Sequence, residues 1–542
     1  MGEHYGIWSV LPPFLAILLA MITRRIVLSL LLGVFSAAMV LSNGDPLAAV
    51  IRCVVGDLAS SLRNLDHLRV FAFTLLMGAM VGIIHHSGGM RGLIALLQPL
   101  ATNRRRGQLI TWLMGLIIFF DDYANTLLLG TTFRPVTDHL KISREKLAYI
   151  VDSTAAPVAG LAIISTWVAG EVDFISTGLS EINVATSQGL GFAIFVETIV
   201  YRFYPILALL LVGMVSWTGW DFGPMRRAEQ RAAEGSGFLD KTMDLRETVS
   251  PTEMVAGGRV YLALVPIIVL ITVLMAALIL TGLPEEVRPV SLWEIVGGAD
   301  AYSALVWASM AGCLTAMLLT GLQQRRSLLG ILRAAWRGAR LMFPALVVLW
   351  LAWTLADLSA SGNSRDPGDR LGTAVYLTSL LGDAVSPEWM PTLVFLLAAA
   401  VSYCTGTSWG TMSILTPLVI RVTWELIGGS GEEMVHNPVF IASIGGVLAG
   451  SIFGDHCSPI SDTTILSSRA SGCDHMAHVW TQMPYALLVA VVSIVAGTIP
   501  VGFGVSVWVC LPVSALLLLG LLWCLAHRDD EDSAPGLGAS AD

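Results

Sequence analysis

Long apolar runs recur along most of this chain, and they constrain its fold more than any other feature. The hydrocarbon core of a bilayer is about 30 Å thick, which roughly 20 apolar residues of helix can span. Only 13% of the 542 residues are charged, whereas soluble domains carry about 25%. The sequence therefore predicts an all-α polytopic membrane protein, multi-pass in the cell membrane, with about thirteen segments: 7–23, 26–42, 68–86, 107–133, 147–168, 188–216, 259–282, 301–321, 341–358, 391–424, 438–468, 480–500 and 503–526. Two short amphipathic stretches, 45–66 and 327–340, are expected along the interface.

Composition excludes several other classes of protein. The net charge is −9 and no basic patch is present, so no nucleic-acid partner is expected. The seven cysteines contain no CxxC pair, so they indicate neither a zinc site nor a disulfide framework, and no cofactor is predicted. The N-terminal apolar run lacks a basic leader and a small-residue cleavage site, so we interpret it as a first span and not as a signal peptide.

Basic residues predict the orientation, because cytoplasmic loops are enriched in Lys and Arg. Loop 169–187 contains three carboxylates and no basic residue, and 425–437 is also acidic, so both are expected outside. The basic groups that mark the cytoplasmic side are Arg24 and Arg25, Arg104 to Arg106, Arg134 to Lys146, and the loops 217–258 and 322–340.

Two segments have flanking residues of the same charge at both ends. Both ends of such a segment are expected on the same side of the membrane, which indicates a re-entrant hairpin. The segment 107–133 lies between basic groups, and "DDYAN" falls near its tip. The segment 391–424 lies between acidic groups, with "TGTSWGT" at its centre. One hairpin would enter from each side, as in the inverted repeats and broken helices of secondary transporters.

The spacing of polar residues extends this repeat. "IIFFDDYANTLLLGTTFRP" aligns with "AAVSYCTGTSWGTMSILTP", and "DSTAAPVAGLAIISTW" aligns with "GDHCSPISDTTILSSR", which matches Pro157 with Pro459. Pro157 is expected to break the hydrogen-bond ladder of its helix and so free backbone carbonyls. We predict a first repeat at 1–216, a cytoplasmic linker at 217–258, a second repeat at 259–500, an added helix at 501–526 and a cytoplasmic tail at 527–542.

Polar residues at membrane depth are costly, so they mark the candidate site. Four clusters supply nearly all of them, and almost every member offers an oxygen ligand. The candidate carboxylates are Asp121, Asp122, Asp152, Asp455 and Asp462, and the candidate neutral ligands are Asn125, Thr126, Ser153, Thr154, Thr405, Gly406, Thr407, Ser408, His456, Ser458, Thr463 and Thr464.

Oxygen ligands suit a hard cation such as sodium. Because a buried carboxylate also holds a proton well, proton and cation would compete for one group, and alternating access to that group yields exchange. We predict Asp122, Asp455 and Asp462 as the sodium-binding carboxylates, with sodium and protons as the transported species.

Structural interpretations stay open for several of these residues. One member of the Asp121–Asp122 pair is expected to cap a half-helix. We favour Asp122 as the functional one, because it precedes Asn125 and Thr126 by three and four residues. Asp152 is also a candidate helix cap, and His456 a hydrogen-bonded core histidine. The 405–408 run is equally compatible with small-residue helix packing.

Three segments carry a family resemblance: "FDDYANTLLLGTTFRPVTD", "DSTAAPVAGLAIISTWVAGE" and "GDHCSPISDTTILSSRASGCDH". They resemble signature segments of the NhaC-type sodium/proton antiporters, in the ion-transporter superfamily, and the resemblance extends over most of residues 5–500. It implies paired hairpins in a mobile transport domain, a scaffold domain, and a homodimer.

The leading hypothesis is a sodium(cation)/proton antiporter. The alternative is a sodium- or proton-coupled carrier or exchanger of a small organic acid or amino acid, whose carboxylate would lie at half-helix N-termini and hydroxyls. An intramembrane hydrolase is disfavoured, because it needs a nucleophile within reach of a base and adjacent residues such as His456 and Cys457 point apart on a helix.

Overall fold

The computed structural model describes most of the chain, in the ranges 5–23, 25–90, 100–182, 189–234, 259–283, 298–324, 327–359, 370–381 and 385–532, with residues 92 and 295. Within those ranges every regular element is a helix. The predicted all-α polytopic fold is confirmed. Most of the linker 217–258 and the end of the tail lie outside the described residues.

The first half of the described chain contains twelve α-helices. They are α1 Leu11–Thr23, α2 Ile26–Leu41, α3 Pro46–Ile51, α4 Leu58–Ser61, α5 Leu65–Ser87, α6 Arg104–Ile117, α7 Asp122–His139, α8 Arg144–Leu161, α9 Val168–Glu181, α10 Leu190–Thr198, α11 Phe203–Thr218 and α12 Gly223–Ala233. The last of these forms the start of the predicted linker.

The second half of the described chain contains twelve more. They are α13 Tyr261–Gly282, α14 Ala301–Gln324, α15 Leu328–Leu341, α16 Phe343–Ser359, α17 Thr373–Leu381, α18 Met390–Thr405, α19 Ser408–Leu426, α20 Pro438–Cys457, α21 Asp462–Ser471, α22 His475–Val492, α23 Ile499–Gly502 and α24 Val507–Asp532.

Eight helices among the described residues are long and apolar enough to cross a bilayer, or nine when the pair α15–α16, bent by 41°, is counted as one span. Large apolar side chains on them stay exposed, for example Leu280 at 73% and Leu322 at 77%. Such a surface is expected where lipid, not water, surrounds the protein. The count of thirteen segments stays a prediction, since it includes hairpin arms and shorter helices.

Four interruptions divide the predicted membrane segments. They lie at 118–121 between α6 and α7, at 162–167 between α8 and α9, at 406–407 between α18 and α19, and at 458–461 between α20 and α21. A helix that restarts in a low-dielectric region leaves backbone N–H groups that need partners. Three of the restarts have a side-chain cap, from Asp121, Thr407 and Ser461.

Glycines allow the helices around these interruptions to approach closely. A Cβ added at Gly115 of α6 would lie 2.3 Å from Thr154 Oγ1 of α8, and one at Gly454 of α20 would lie 2.3 Å from the Ala399 carbonyl oxygen of α18. On α5 and α15 a Cβ at Gly338 would lie 2.0 Å from the Gly78 carbonyl. This contact packs one face of α15 against α5, and its other face stays exposed, for example at Trp336; the interfacial position expected for 327–340 stays a prediction.

One detail of the predicted register is wrong. Pro157 lies inside α8, which continues to Leu161, whereas Pro459 lies in the interruption after α20. A proline in a helix removes only one backbone donor, and α8 tolerates that loss. The aligned prolines therefore do not occupy equivalent positions in the two repeats.

Candidate functional site

Asp121 and Asp122 have different environments although they are adjacent. Asp121 is the N-cap of α7, and its Oδ1 accepts a hydrogen bond from the Ala124 amide at 2.6 Å. Asp122 is the first residue of the helix and is 2% exposed. Its Oδ1 accepts no hydrogen bond from the described residues. The cap interpretation of Asp121 is confirmed, and each of the two residues keeps one buried oxygen without a hydrogen bond from described residues, Asp121 Oδ2 and Asp122 Oδ1.

Asn125 hydrogen-bonds to residues before and within the interruption at 118–121 and to α8. Its side-chain amide donates to the carbonyl oxygens of Gly115 at 2.8 Å, Ile118 at 3.1 Å and Thr154 at 3.0 Å. The Gly115 carbonyl belongs to α6, the Ile118 carbonyl to the interruption and the Thr154 carbonyl to α8, so this side chain of α7 contacts all three. Its Oδ1 has no hydrogen-bond partner in the described chain and is free to bind a cation.

The second hairpin meets the interruption at 458–461. Gly406 has a φ of 67°, and a Cβ there would lie 2.8 Å from the Ile460 carbonyl oxygen. Ser408, the first residue of α19, faces Asp455. Its Oγ is buried and forms no hydrogen bond with described residues. The second hairpin therefore places the Ser408 hydroxyl beside the Asp455 carboxylate of α20.

Asp455 and Asp462 lie on the two sides of that interruption. Asp455 is 2% exposed, and its Oδ2 accepts from the Thr463 hydroxyl at 3.2 Å. Asp462 accepts a hydrogen bond from the hydroxyl of Tyr123, which comes from the first hairpin. Asp462 interacts electrostatically with both Asp122 and Asp455. The three carboxylates predicted for sodium therefore form one cluster, which we call the carboxylate cluster.

Asp152 lies beside the carboxylate cluster, in the middle of α8. Its Oδ2 accepts from Gln482 Nε2 at 2.7 Å and from the Thr464 hydroxyl at 3.2 Å, and it lies 3.4 Å from His478 Nε2. The prediction that Asp152 is a helix cap is wrong, because Ser143 caps α8. Asp152 instead joins α8 to α21 and α22.

His456 is a hydrogen-bonded core histidine. Its Nδ1 lies 3.0 Å from the Tyr204 hydroxyl, and its Nε2 lies 3.0 Å from the backbone oxygen of Asp152. Both ring nitrogens are therefore occupied by protein groups. The structural interpretation of His456 is confirmed, and its ring is not available as a cation ligand in this state.

Several predicted neutral ligands use their hydroxyls within the protein. The acceptors are carbonyl oxygens, either of the preceding helical turn or of a neighbouring element. Thr126 donates to Asp122 at 2.8 Å, Thr154 to Ile150 at 2.8 Å, Thr405 to Ser402 at 3.4 Å and Ser458 to Tyr403 at 2.7 Å. Ser153 is buried and faces Tyr149. The spacing argument that gathers Asn125 and Thr126 around the Asp122 carboxylate is not supported by these bonds.

The carboxylate cluster has no positive partner. Among the described residues no Lys or Arg forms an ion pair with Asp122, Asp455 or Asp462. In the same part of the chain no three His, Cys, Asp or Glu side chains stand at metal-ligand spacing. The three carboxylates interact electrostatically, but they do not surround a single point as the ligands of a metal site do.

Two cavities lie at opposite ends of α5. One has a volume of about 720 Å³ and is lined by Asp121 and Tyr123, together with His85 near the C-terminal end of α5. The other has a volume of about 440 Å³ and is lined by Asp66, at the N-terminal end of α5, and by Asp173 of α9. Of these two cavities, only the one of 720 Å³ is lined by residues of the interruption at 118–121.

With this arrangement established, comparison with known proteins identifies the family. The family model described as "Na+/H+ antiporter family" matches residues 158–499. The chain belongs to this family. It is a secondary cation/proton antiporter and a multi-pass membrane protein, and its predicted resemblance to NhaC-type antiporters is confirmed.

Relatives among curated proteins agree with this assignment. An uncharacterized protein of Haemophilus influenzae is 31% identical over 529 residues, which is 96% of each chain. An uncharacterized Na+/H+ antiporter of the same organism is 34% identical over 28% of this chain and 30% of its own. The Na+/H+ antiporter NhaC of Alkalihalophilus pseudofirmus is 30% identical over 21% of this chain and 23% of its own.

Two solved structures share the fold. The Alcanivorax borkumensis YdaH transporter aligns with a TM-score of 0.57 at 16% identity, over 85% of this chain and 90% of its own. Neisseria gonorrhoeae MtrF aligns with a TM-score of 0.50 at 13% identity, over 84% and 85% of the two chains. At sequence identities this low, the structural similarity shows only that the three proteins share a fold.

Sequence reasoning missed three residues of this candidate site: Tyr123, His478 and Gln482. Tyr123 lies inside the motif "DDYAN", and its hydroxyl joins the first hairpin to Asp462. His478 and Gln482 are four residues apart on α22, so they share one helical face. Two polar side chains at this spacing in an otherwise apolar segment could have indicated His478 and Gln482 from the sequence.

Proposed function

We propose that the antiporter exchanges sodium for protons at the carboxylate cluster of Asp122, Asp455 and Asp462. Asn125 Oδ1 and Ser408 Oγ would act as neutral ligands. Two buried carboxylates with no positive partner, Asp122 and Asp455, carry the proposal together with the exposed Asp462 beside them, because an uncompensated buried charge is too costly to persist. The cluster must hold either protons or a cation, and binding of one releases the other.

The remaining predicted aspartates have supporting roles in this proposal. Asp121 caps α7 and thereby fixes the direction in which Asp122 begins the helix. Asp152 is held by Gln482 and Thr464, so it keeps α21 against α8. Both interact with the carboxylate cluster through their charge, and both would therefore modulate its affinity for protons and sodium.

Alternating access would connect the carboxylate cluster to one side at a time. The 720 Å³ cavity, which reaches Tyr123, lies at the end of α5 that we assign to the cytoplasm from the basic residues nearby. The 440 Å³ cavity lies at the other end, assigned to the outside. The repeat boundaries at 1–216 and 259–500, the cytoplasmic linker and tail, and a homodimer are parts of the same proposal.

Purified protein in proteoliposomes tests this function directly. A pH gradient is imposed, and its dissipation is followed by dequenching of a pH-sensitive dye when sodium, lithium or potassium is added. We expect sodium to dissipate the gradient and Asp122→Asn to abolish the response. Asp121→Asn serves as the matched control, because asparagine caps a helix about as well as aspartate.

Two outcomes would contradict the proposal. Full activity in Asp122→Asn with an inactive Asp121→Asn would reverse the assignment of the two residues. A gradient that no inorganic cation dissipates, with uptake of an amino or carboxylic acid instead, would refute sodium/proton exchange.

A further inference from the structure

The start of the predicted linker is packed against the rest of the protein. Met225, Ala228 and Ala232 of α12 are 0%, 2% and 1% exposed, and their spacing places them on one face of the helix. On the same helix, Glu229 Oε1 accepts a hydrogen bond at 2.7 Å from the amide of Ser143, which caps α8. A segment that only connects two repeats needs no buried face. The start of the linker is instead fixed to the beginning of α8.

Asp221, just before α12, contacts two helices at once. Its Oδ1 lies 2.5 Å from Nζ of Lys146 on α8 and accepts a hydrogen bond at 2.8 Å from the hydroxyl of Tyr485 on α22. The amide of Phe222 donates to the same hydroxyl at 3.2 Å. The Lys146 side chain is 0% exposed, and removal of one partner from a buried ion pair leaves an uncompensated charge. Asp221 therefore holds α8 and α22 together at the linker.

The same faces of α8 and α22 meet again at Asp152. On α8, Lys146, Tyr149 and Asp152 follow one another at intervals of three residues and share a helical face. On α22, Gln482 and Tyr485 have the same spacing. The ring centroids of Tyr149 and Tyr485 lie 4.9 Å apart. Gln482 Nε2 donates to Asp152 Oδ2 at 2.7 Å. These five residues form what we call the α8–α22 interface, which extends about 9 Å along α8 from the linker contact to Asp152.

Asp152 connects this interface to the carboxylate cluster. It interacts electrostatically with Asp455 and with Asp462. Its negative charge favours a cation at the cluster, and the strength of that effect depends on the distance between the charges. A shift of α8 along α22 would move Asp152 and change the affinity of the cluster for sodium. Asp221 opposes such a shift, because it is bound to both helices.

We propose that Asp221 is a positioning residue for cation exchange. By binding Lys146 and Tyr485 together, it keeps the α8–α22 interface in register and Asp152 beside the carboxylate cluster. The start of the linker is then part of the transport machinery as well as a connection between the repeats. This inference rests on the proposed function, because it requires that the carboxylate cluster binds sodium.

The sodium dependence of exchange by the full chain in proteoliposomes tests the inference. We expect Asp221→Asn to raise the half-saturating sodium concentration about tenfold, within the range measured for residues of a coupling network, and to leave the maximal rate nearly unchanged. A loss of folded protein would instead lower the maximal rate at an unchanged half-saturating concentration, so the two effects are separable. Tyr485→Phe keeps the ring contact with Tyr149 and loses only the hydroxyl, so it should fold normally and raise the half-saturating concentration about threefold.

Asp138→Asn is the matched control. Asp138 pairs with Arg144 of α8 at 3.3 Å, but outside the α8–α22 interface, so this variant should have the half-saturating sodium concentration of the wild type.

Hydrogen exchange gives a second readout that requires no sodium. The amides of α8 around Asp152 should take up deuterium faster in Asp221→Asn than in the wild type or Asp138→Asn. An unchanged half-saturating concentration in Tyr485→Phe and in folded Asp221→Asn, or an equal rise in Asp138→Asn, would overturn the inference. A wild type without sodium-dependent exchange would refute the proposed function instead. Unchanged deuterium uptake around Asp152 in both interface variants would overturn the inference by itself.

Discussion

Asp121 and Asp122 show how two identical neighbours acquire different environments from backbone geometry. Asp121 lies in an extended conformation before α7 and accepts from a backbone amide, so its charge is partly compensated by the helix N-terminus. Asp122 is already helical, and its Oδ1 has no such donor among the described residues. The sequence alone predicted that one of the pair caps, because a cap must precede the first helical turn. It did not predict that Asn125 would turn its amide toward backbone carbonyls.

Asn125 supports a prediction about stability. Its amide group supplies the donor for three buried carbonyl oxygens, and an aspartate at this position has only acceptors. We expect Asn125→Asp to destabilise the purified protein by about 2–4 kcal/mol, since buried carbonyls without a donor are costly. Thermal unfolding measures this change. The control is Asn103→Asp, an exposed N-cap of α6, which should unfold like the wild type; equal effects of both variants would refute the structural role of Asn125.

At the scale of the elements, the sequence predicted the helix interruptions best. It predicted least well which positions of the two repeats are equivalent. A polar motif inside an apolar segment predicted breaks at "DDYAN" and "TGTSWGT", and both are present. The proline match between Pro157 and Pro459 failed, because a single proline does not end a helix whose neighbours supply the remaining packing. The segment 188–216 was predicted as one span, but α10 ends at Thr198 and α11 begins at Phe203. Arg202 lies between them in a buried ion pair with Glu171 at 2.6 Å, a tertiary contact that no local pattern shows.

The contact between the second hairpin and residues 458–461 gives a prediction at this scale. Gly406 and Gly428 both adopt a left-handed conformation, with φ of 67° and 65°. An alanine at either position costs about 1–2 kcal/mol of backbone strain. Only at Gly406 would the added Cβ also press on another element, at 2.8 Å from the Ile460 carbonyl, whereas nothing lies within 4 Å at Gly428. We expect Gly406→Ala to lower both the unfolding temperature and the exchange rate more than Gly428→Ala; equal losses would show that the hairpin contact is unimportant.

At the scale of the whole molecule, hydropathy and charge were enough to predict a multi-pass helical protein. Hydropathy alone could not count the spans, because hairpin arms and shortened helices have the composition of full spans. The positive-inside rule predicts the orientation, and orientation decides which cavity faces the cytoplasm. The site itself required tertiary structure, since the carboxylate cluster joins residues about 330–340 positions apart in sequence.

Cysteine labelling tests that orientation. Ser430 is exposed in the loop after α19, which is predicted outside, and Glu234 is exposed after α12, which is predicted inside. In a background that lacks the exposed Cys524, a membrane-impermeant maleimide should label Ser430→Cys from outside the cell and Glu234→Cys only after the membrane is opened. The reverse pattern would contradict the orientation and, with it, the proposed inverted repeat.

Proton release on sodium binding tests the central claim most directly. Purified protein in weakly buffered solution is mixed with sodium chloride, and a pH indicator records the protons that leave; choline chloride is the ionic-strength control. If protons and sodium share the carboxylate cluster, sodium releases protons from the wild type and from Asp121→Asn, and releases none from Asp122→Asn or Asp455→Asn. Proton release that is the same in all four proteins would contradict the account.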